Sequence, residues 1–303
     1  MPPSKSLPRN PNAFANSPLD RAGHLRRDAD WLAAALAGPE ARCLTLHHGR
    51  PLLREIEGGL AIAWRGWAPE VGLTPAPLFL GLAPDQAPVF ACDAADPDAC
   101  AALGAFTDLR AAGPRLAADE LAIIGCAKSV FDWHARNGFC AKCGAPSRIV
   151  EAGWKRLCDA CASEHFPRVD PVVIMLPEFD GKCLLGRQST WPPGMMSALA
   201  GYMEPGETIE ESVARETFEE AGLVVSSVRI HSTQPWPFPA SLMIGALCQV
   251  ESDALKIDQK EIECARWFTK EEGRQLLAGK HADCYCPPPF AIAHQLLKTW
   301  AEQ

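Results

Sequence analysis

The chain has 303 residues, which is long for one domain and ample for two. Hydrophobic residues make up 48% of it and charged residues 22%, the composition of an ordinary globular protein. The net charge of −8 excludes a protein that grips long polyanions through bulk positive charge, although local basic clusters remain compatible with it. The sequence begins without the apolar core of a signal peptide and contains no apolar run long enough to span a bilayer. We therefore expect no membrane contact and a cytoplasmic location.

The N-terminal part of the chain divides into a tail and a domain. Residues 1–18 are rich in Pro, Asn and Ser, which predicts a disordered tail. An N-terminal α+β domain is predicted over 19–138. It starts with a helix-like segment at 19–37, continues with short strands separated by Gly and Pro turns, and closes with a helix that begins at Asp119 and ends at Asn137.

A cysteine module follows at 139–168. Cys140 and Cys143 form one C-x-x-C pair, Cys158 and Cys161 form a second, and 14 residues separate the pairs. Each pair can form a tight turn that points two thiolates at one tetrahedral Zn²⁺, so we predict a structural zinc ribbon with four cysteine ligands. Four buried thiols without metal are the alternative. We expect the other nine of the thirteen cysteines to be unliganded.

The C-terminal domain is predicted over 169–303. A buried-strand run at 172–176 leads through the turn signal Asp180-Gly181 into a second strand, and a helix follows at 208–221. The remaining predicted elements are strands near 227–232 and 242–250, a strand that ends at Phe268, and a helix at about 290–300. Because strands and helices alternate, we expect one central mixed sheet with helices on both faces. The predicted fold class is α+β: an α/β/α sandwich with a zinc ribbon and an N-terminal α+β domain.

The helix at 208–221 has clear start and stop signals. Thr208 followed by Glu211 predicts a capping box, and Gly222 stands where a C′ glycine belongs. Val213 and Phe218, together with Ile209, are expected to supply the apolar face. The acidic residues of this helix are then left for the other face.

Three glutamates share one face of this helix. Glu216, Glu219 and Glu220 stand at i, i+3 and i+4, where like charges repel unless cations neutralise them. Carboxylate oxygens suit Mg²⁺ or Mn²⁺, which activate water and stabilise phosphate oxygens. A solvated acidic face is the alternative. We also expect Glu207 and Arg215 to form an ion pair that joins the preceding loop to the helix.

The spaced residues of 201–223 (GYMEPGETIEESVARETFEEAGL) resemble the Nudix box, with Thr217 as a departure from the family's usual aliphatic residue. The family hydrolyses nucleoside diphosphates linked to a further group. The resemblance implies that the metal ligands are Glu216, Glu220, Glu261 and the backbone carbonyl of Ala200. It leaves Glu219 as a further ligand or as a residue that orients the others.

Residues 234–239, QPWPFP, resemble the marker of the NADH pyrophosphatase subfamily, which is also described as NAD-cap decapping enzymes. Prolines stiffen this loop, and its aromatic rings can stack on a nicotinamide or adenine ring. The resemblance implies a substrate-binding set, which comprises Gln234, Pro235, Trp236, Pro237, Phe238, Pro239, Ala240, Ser241, Ala293 and Phe166. Gly153 stands where some members have a substrate-contacting glutamate, and Phe166 stands where some have a tyrosine.

The resemblance implies metal-dependent hydrolysis of NAD(H) to NMN(H) and AMP, together with NAD-cap removal from RNA, by a homodimer that uses Mg²⁺ or Mn²⁺ and a structural Zn²⁺. Two alternatives stay open. One is a broader dinucleotide or ADP-ribose pyrophosphatase. The other is a zinc-ribbon RNA-binding regulator with a vestigial box, which the basic residues around the ribbon favour.

Overall fold

The computed structural model describes residues 9–67 and 77–303. Contacts between residues divide the chain into two compact units, and each contains segments that are distant in sequence. In the described residues, the first unit comprises Arg9, Phe14–Val169 and Trp236–Ala240, and the second comprises Asn10–Ala13, Asp170–Pro235 and Ser241–Gln303. None of the helices in the described residues combines the length and the apolar character that a membrane crossing requires.

Among the residues that the structure describes, the main sheet of the first unit has six strands, in the order β3-β2-β1-β5-β4 with β6 paired to β2. The pairing of β1 with β5 is parallel and the other pairings are antiparallel. The strands are β1 Arg42–His47, β2 Arg50–Ile56, β3 Gly59–Ile62, β4 Leu78–Leu82, β5 Pro88–Asp93 and β6 Ala105–Phe106.

In the described part of the first unit, three α-helices accompany this sheet: α1 Ala29–Ala37, α2 Leu109–Ala112 and α3 Ala118–Arg136. The predicted helix at 19–37 is shorter than expected because Asp28 caps α1 by accepting from the Trp31 N–H, and a 3₁₀ turn precedes it. The predicted helix from Asp119 to Asn137 is confirmed as α3.

The ribbon forms a small antiparallel sheet in the same unit. Its strands are β7 Arg148–Val150, β8 Lys155–Leu157 and β9 Glu164–His165, in that order. The first C-x-x-C pair lies in a turn that precedes β7, and the second lies in the turn between β8 and β9.

The predicted tail at 1–18 differs from the structure in its described part. Residues 1–8 lie outside the described residues. Within the second unit, Asn10 donates to the Thr233 carbonyl at 2.8 Å and Asn12 to the Ser232 hydroxyl at 2.9 Å. Within the first unit, Phe14 is buried. A polar composition predicted disorder here, but the asparagine amides find fixed backbone and hydroxyl partners.

The sheet of the second unit is mixed, as predicted. Its order is β13-β14-β10-β11-β15, with β12 paired to β10. β10 and β14 run parallel, whereas β10 pairs antiparallel with β11 and β12, and β11 pairs antiparallel with β15. The strands are β10 Asp170–Phe179, β11 Lys182–Arg187, β12 Leu199–Tyr202, β13 Val225–Trp236, β14 Ser241–Val250 and β15 Cys264–Thr269.

Alternate residues of β10 build two cores on opposite faces of this sheet. Val173 and Met175 pack with α4, Ile209–Ala221. Ile174 and Leu176 pack with α6, Ile292–Glu302. The predicted α/β/α sandwich is therefore confirmed.

One helix of the second unit was absent from the sequence prediction. It is α5, Lys270–Leu277, and Thr269 caps it in a capping box with Glu272. The same Thr-x-x-Glu pattern predicts the start of α4. The prediction missed α5 because this helix is only two turns long and follows directly on a strand. In the structure, α5 packs with α6 on the same face of the sheet.

Candidate active site

Helix α4 begins and ends as its sequence predicts. Thr208 and Glu211 form a reciprocal capping box, and Gly222 adopts a left-handed conformation at the C-terminus. The apolar face differs at one position. Phe218 is 58% exposed, while Thr217 is completely buried between Val213 and Ala221 in the helical stripe. Because 217 follows 213 by four residues, Thr217 and not Phe218 continues the core face.

Two glutamates of α4 are withdrawn from solvent. Glu216 is 8% exposed and Glu220 is 4% exposed, whereas Glu219 is exposed. The three side chains lie on one side of the helix, as their spacing predicts. Glu216 and Glu220 therefore do not form the solvated acidic face that was the alternative interpretation.

A glycine on β12 makes room for the first of these carboxylates. A Cβ built on Gly201 would lie 1.9 Å from the carboxyl carbon of Glu216. Gly201 pairs with Val173 of β10, and Ala200 pairs with Ile174. The sheet thus fixes the backbone of Ala200 and Gly201 beside the Glu216 carboxylate.

The Glu220 carboxyl is buried close to three like charges. Burial raises its pKa to about 8, and the charges of Glu216, Glu261 and Glu219 contribute to this rise in that order. Its Oε2 atom is buried and has no hydrogen-bond partner. Burial also raises the pKa of Glu216, more than the neighbouring Arg215 lowers it. An unpaired buried carboxylate is unfavourable, so this site favours a cation.

Glu261 reaches this cluster because its loop is attached to the end of α4. The Lys256 N–H donates to the Ala221 carbonyl at 2.8 Å, and the Asp258 N–H donates to the Glu220 carbonyl at 3.2 Å. The Glu261 N–H then donates to the Asp258 carbonyl at 3.1 Å. These backbone bonds explain how a residue 41 positions beyond Glu220 acts on its pKa.

Arg215 holds the remaining acidic groups in place, and the predicted ion pair with Glu207 is confirmed. The guanidinium donates to Glu216 at 2.8 Å and to Glu219 at 2.9 Å, and to the Tyr202 carbonyl at 2.9 Å. Its hydrogen bonds to Glu207 lower the pKa of that carboxyl to about 2. Arg215 therefore joins β12 and the loop before α4 to the glutamate face.

The four predicted cysteines come together as one cluster. Their Sγ atoms all lie within 4.8 Å of one another, with Cys140 and Cys161 at 3.6 Å and Cys143 and Cys158 at 3.5 Å. A tetrahedral Zn²⁺ with Zn–S bonds of about 2.3 Å requires Sγ separations of roughly 3.8 Å, so the cluster fits this ion. Within 9–67 and 77–303, it is the one group of three or more possible ligands that is this tight. The glutamates are more widely spaced, and Arg215 occupies two of them.

The ribbon has a support that the sequence analysis missed. His165 lies with Nε2 3.3 Å from the Cys140 sulfur. At the end of α3, Nε2 of His134 donates to the Gly153 carbonyl at 2.8 Å, and Nδ1 accepts from Arg156 at 3.2 Å. Burial lowers the pKa of His134 to about 4, so the ring is neutral at physiological pH. Only this neutral form can accept from the arginine.

The aromatic loop belongs to the first unit from Trp236 onward. The rings of Trp236 and Phe238 lie edge to face with centroids 5.1 Å apart. The Phe14 ring contacts both in edge-to-face geometry, and the guanidinium of Arg110 on α2 lies 4.1 Å from the centre of the Phe238 ring. These contacts hold two rings that are only partly buried.

Several members of the predicted substrate-binding set are buried. Gln234, in the second unit, is completely buried; its amide donates to the Phe290 carbonyl at 2.7 Å and accepts from the Ile292 N–H at 2.8 Å. Ala293, also in the second unit, belongs to α6 and is part of the core between this helix and the sheet. The side-chain atoms of both residues are enclosed within the protein. The other buried members are Pro237, Ala240 and Ser241.

The remaining members are accessible. Pro235 is exposed, Trp236, Phe238 and Pro239 are half-buried, and Phe166 beside the ribbon is exposed. Gly153 has φ +94°, and a Cβ there would lie 2.6 Å from a Leu78 methyl group. A side chain at this position would therefore be strained and would have to displace Leu78.

Three family models match the chain in succession. An NADH pyrophosphatase-like rudimentary NUDIX domain matches residues 40–133, an NADH pyrophosphatase zinc ribbon domain matches 135–166, and a NUDIX domain matches 167–286. Their order is that of the three predicted domains.

Curated relatives agree with these models. The chain is 50% identical over 192 residues to NAD-capped RNA hydrolase NUDT12 of Homo sapiens, across 60% of this chain and 42% of that protein. It therefore spans less than half the length of that relative. It is 37% identical over 212 residues to the human mitochondrial NAD(P)H pyrophosphatase NUDT13, across 66% of this chain and 60% of the relative.

A bacterial relative aligns over nearly its whole length. NAD-capped RNA hydrolase NudC of Mycobacterium bovis is 37% identical over 302 residues, across 93% of this chain and 92% of that protein. The cysteine cluster, the glutamate face and the central sheet of the second unit all lie within the segments that the family models match. The chain therefore belongs to the Nudix hydrolase superfamily, in the zinc-ribbon subfamily of NADH pyrophosphatases and NAD-capped RNA hydrolases.

Proposed function

We propose that this protein hydrolyses the pyrophosphate bond of NAD(H), giving NMN(H) and AMP, and that it removes NAD from capped RNA to leave a 5′-monophosphate end. The observation that carries the proposal is the desolvated carboxylate pair Glu216 and Glu220, with one unpaired oxygen on Glu220. Such a pair favours a cation, and cations are what a pyrophosphate needs for cleavage. The names of the bacterial and human relatives support NAD-containing substrates.

The donor atoms fit Mg²⁺ or Mn²⁺, because both are hard cations that prefer oxygen ligands. We assign Glu216, Glu220, Glu261 and the Ala200 carbonyl as the groups that hold them. When bound, these cations supply phosphate charge neutralisation and a water of lowered pKa. Glu219 accepts from the same Arg215 nitrogen as Glu216 but is exposed, so we assign it an orienting role.

The aromatic loop supplies the recognition of a base ring. Trp236 and Phe238 are half-buried, held at their edges and flanked by prolines, so little conformational entropy is lost when a flat ring stacks on them. One such stack contributes roughly 1–3 kcal/mol. Gln234 serves this function indirectly, since its amide fixes the backbone before the loop.

Three further features complete the proposal. The ribbon holds one structural Zn²⁺ through four cysteines, which leaves no ligand position for substrate. The protein is a homodimer, as the family resemblance implies, and its proposed location is the cytoplasm. Light scattering on the purified protein checks the homodimer directly.

The decisive experiment removes one charge from the buried pair. Glu220→Gln keeps the shape of the side chain and should lower kcat for NADH cleavage by roughly 10²–10³-fold, the scale for one preorganised electrostatic group. Glu210→Gln is the matched control, because Glu210 is exposed on the same helix. Near-normal cleavage by Glu220→Gln would contradict the assignment.

A substrate panel separates the proposed activity from a broader one. NADH, NAD⁺, ADP-ribose, diadenosine polyphosphates and an NAD-capped RNA are compared by kcat/KM. We expect NAD(H) and capped RNA to rank highest. Equal values for ADP-ribose would indicate a general dinucleotide pyrophosphatase instead.

A further inference from the structure

The segment before the first domain, residues 10–14, is called here the N-terminal arm. In the second unit, residues 10–13 of the arm form hydrogen bonds with the C-terminal part of β13. Asn10 and Asn12 both donate to the Thr233 carbonyl, at 2.8 and 2.9 Å. Gln234 donates to the Ala13 carbonyl at 3.2 Å. The arm thus contacts the residues that lead directly into the aromatic loop.

Asn12 and Gln234 are interior parts of this arrangement. Asn12 is 4% exposed, and its amide also donates to the Ser232 hydroxyl. Gln234 is fully buried and also bonds the backbone that begins α6, at Phe290 and Ile292. The side-chain amides of Asn12 and Gln234 thus bond to the arm, to β13 and to the start of α6. These hydrogen bonds fix the three segments in one arrangement.

In the first unit, the last residue of the arm contacts the loop itself. The Phe14 ring lies 5.9 Å from the Trp236 ring and 6.2 Å from the Phe238 ring, edge to face in both cases. Gly125 of α3 provides the space: a Cβ there would lie 3.0 Å from Phe14 and 3.4 Å from Pro237. A glycine inside a helix is unfavourable by itself, so packing is the physical reason for it here.

The backbone of Phe14 is strained. Its φ is +65°, a left-handed conformation that bulky residues rarely adopt. Such strain persists only where the surroundings determine the conformation, and it concentrates at functional sites. The surroundings of Phe14 include the Trp236 and Phe238 rings, which the proposed function assigns to base binding.

We infer that the N-terminal arm is a positioning element of the substrate loop, with Phe14 as its positioning residue. It fixes the directions of the Trp236 and Phe238 rings before a dinucleotide arrives, so it governs affinity and not the hydrolytic step. This inference rests on the proposed function, because that function assigns the loop to nucleotide binding.

The test uses full-length variants and NADH as substrate. Phe14→Ala and Asn12→Ala should raise KM by roughly tenfold, as expected for a weakened base stack, while kcat changes little. Arg9→Ala is the control, since Arg9 makes an exposed ion pair with Asp119 just before the arm. It should retain the wild-type KM.

Gly125→Ala provides a second test of the arm in case Phe14→Ala or Asn12→Ala fails to fold. Alanine is the better helix former, so α3 is favoured while its methyl group displaces Phe14 and Pro237. We expect a raised KM and an unchanged kcat, with the melting temperature measured to show that the variant is folded. A wild-type KM in all three variants would overturn the inference.

Hydrogen exchange of residues 228–240 makes the two proposals separable. We expect faster amide exchange there in the arm variants than in wild type, without any substrate present. Unchanged exchange and unchanged KM in an active enzyme would refute the arm's role and leave the proposed function standing. A wild-type protein that cleaves no NADH would refute the proposed function, and the exchange rates alone would then decide the positioning role.

Discussion

The Glu216 carboxylate packs directly onto the Cα of Gly201, so closely that a methyl group on this glycine would lie 1.9 Å from the carboxyl carbon. The contact joins α4 to β12 at the position where a metal ligand is proposed. The contact also explains why residue 201 is a glycine. The backbone conformation does not require one, since Gly201 is not among the positive-φ glycines.

Gly201→Ala should therefore damage catalysis more than folding. The methyl group pushes the Glu216 carboxylate out of its place, and we expect kcat for NADH cleavage to fall by about 10²-fold or more, as for loss of a preorganised group. The melting temperature should change little, because a flexible carboxylate end moves and not the backbone. Gly66→Ala is the control, because nothing lies within 4 Å of its added methyl group. An active Gly201→Ala enzyme would show that Glu216 is not a ligand.

Stability should depend on pH through Glu220. Its folded pKa of about 8 exceeds its ordinary value of 4.5 because of burial, so between these values the folded protein binds more protons than the unfolded chain. Stability contributed by this carboxyl is therefore lost as pH rises from 4.5 to 8. Chelator-treated wild type should lose more unfolding free energy across this window than Glu220→Gln does.

Divalent cations should reverse the loss of stability that Glu220 causes as pH rises. A bound cation compensates the buried charge, so Mg²⁺ or Mn²⁺ should raise the urea midpoint of wild type at pH 8 and do so far less for Glu220→Gln. Urea titrations of both proteins, with chelator and with each cation, measure the difference. If the unfolding free energies of wild type and Glu220→Gln depended equally on pH, the titrating group would be a residue other than Glu220.

Much of the site was predictable because its signals are local. The capping box of Thr208 and Glu211, the glycine after α4 and the spacing of the glutamates all lie within one helix. The cysteine pairs are similarly local, since each forms its own turn. Such features follow from spacing along the chain alone.

The parts that sequence reasoning missed depend on distant partners. Gln234 looks like a loop residue, but its amide bonds residues 221 and 56 positions away. Phe14 lies in a Pro- and Asn-rich stretch, yet a gap left by Gly125 receives it. No local pattern encodes such pairings, because the sequence does not state which segments meet.

The zinc ribbon should be metal-dependent for its stability. Cys158→Ser removes one of four thiolates at a fully buried position and should abolish stoichiometric zinc while lowering the melting temperature. Cys264→Ser is the control, because this cysteine is exposed and outside the cluster. Elemental analysis and calorimetry check both proteins. One zinc per chain retained by Cys158→Ser would rule out four-cysteine ligation.

Thr217→Val should stabilise the protein. The Thr217 hydroxyl is completely buried beside the Cys248 thiol and has no hydrogen bond of normal geometry. Valine has the same shape and no polar atom, so the unfolding free energy should rise by about 1 kcal/mol. Thr217→Ser keeps the hydroxyl and loses a methyl group, so it should destabilise by a similar amount. Urea unfolding of the three proteins tests both signs, and a less stable Thr217→Val would mean that the hydroxyl is satisfied in solution.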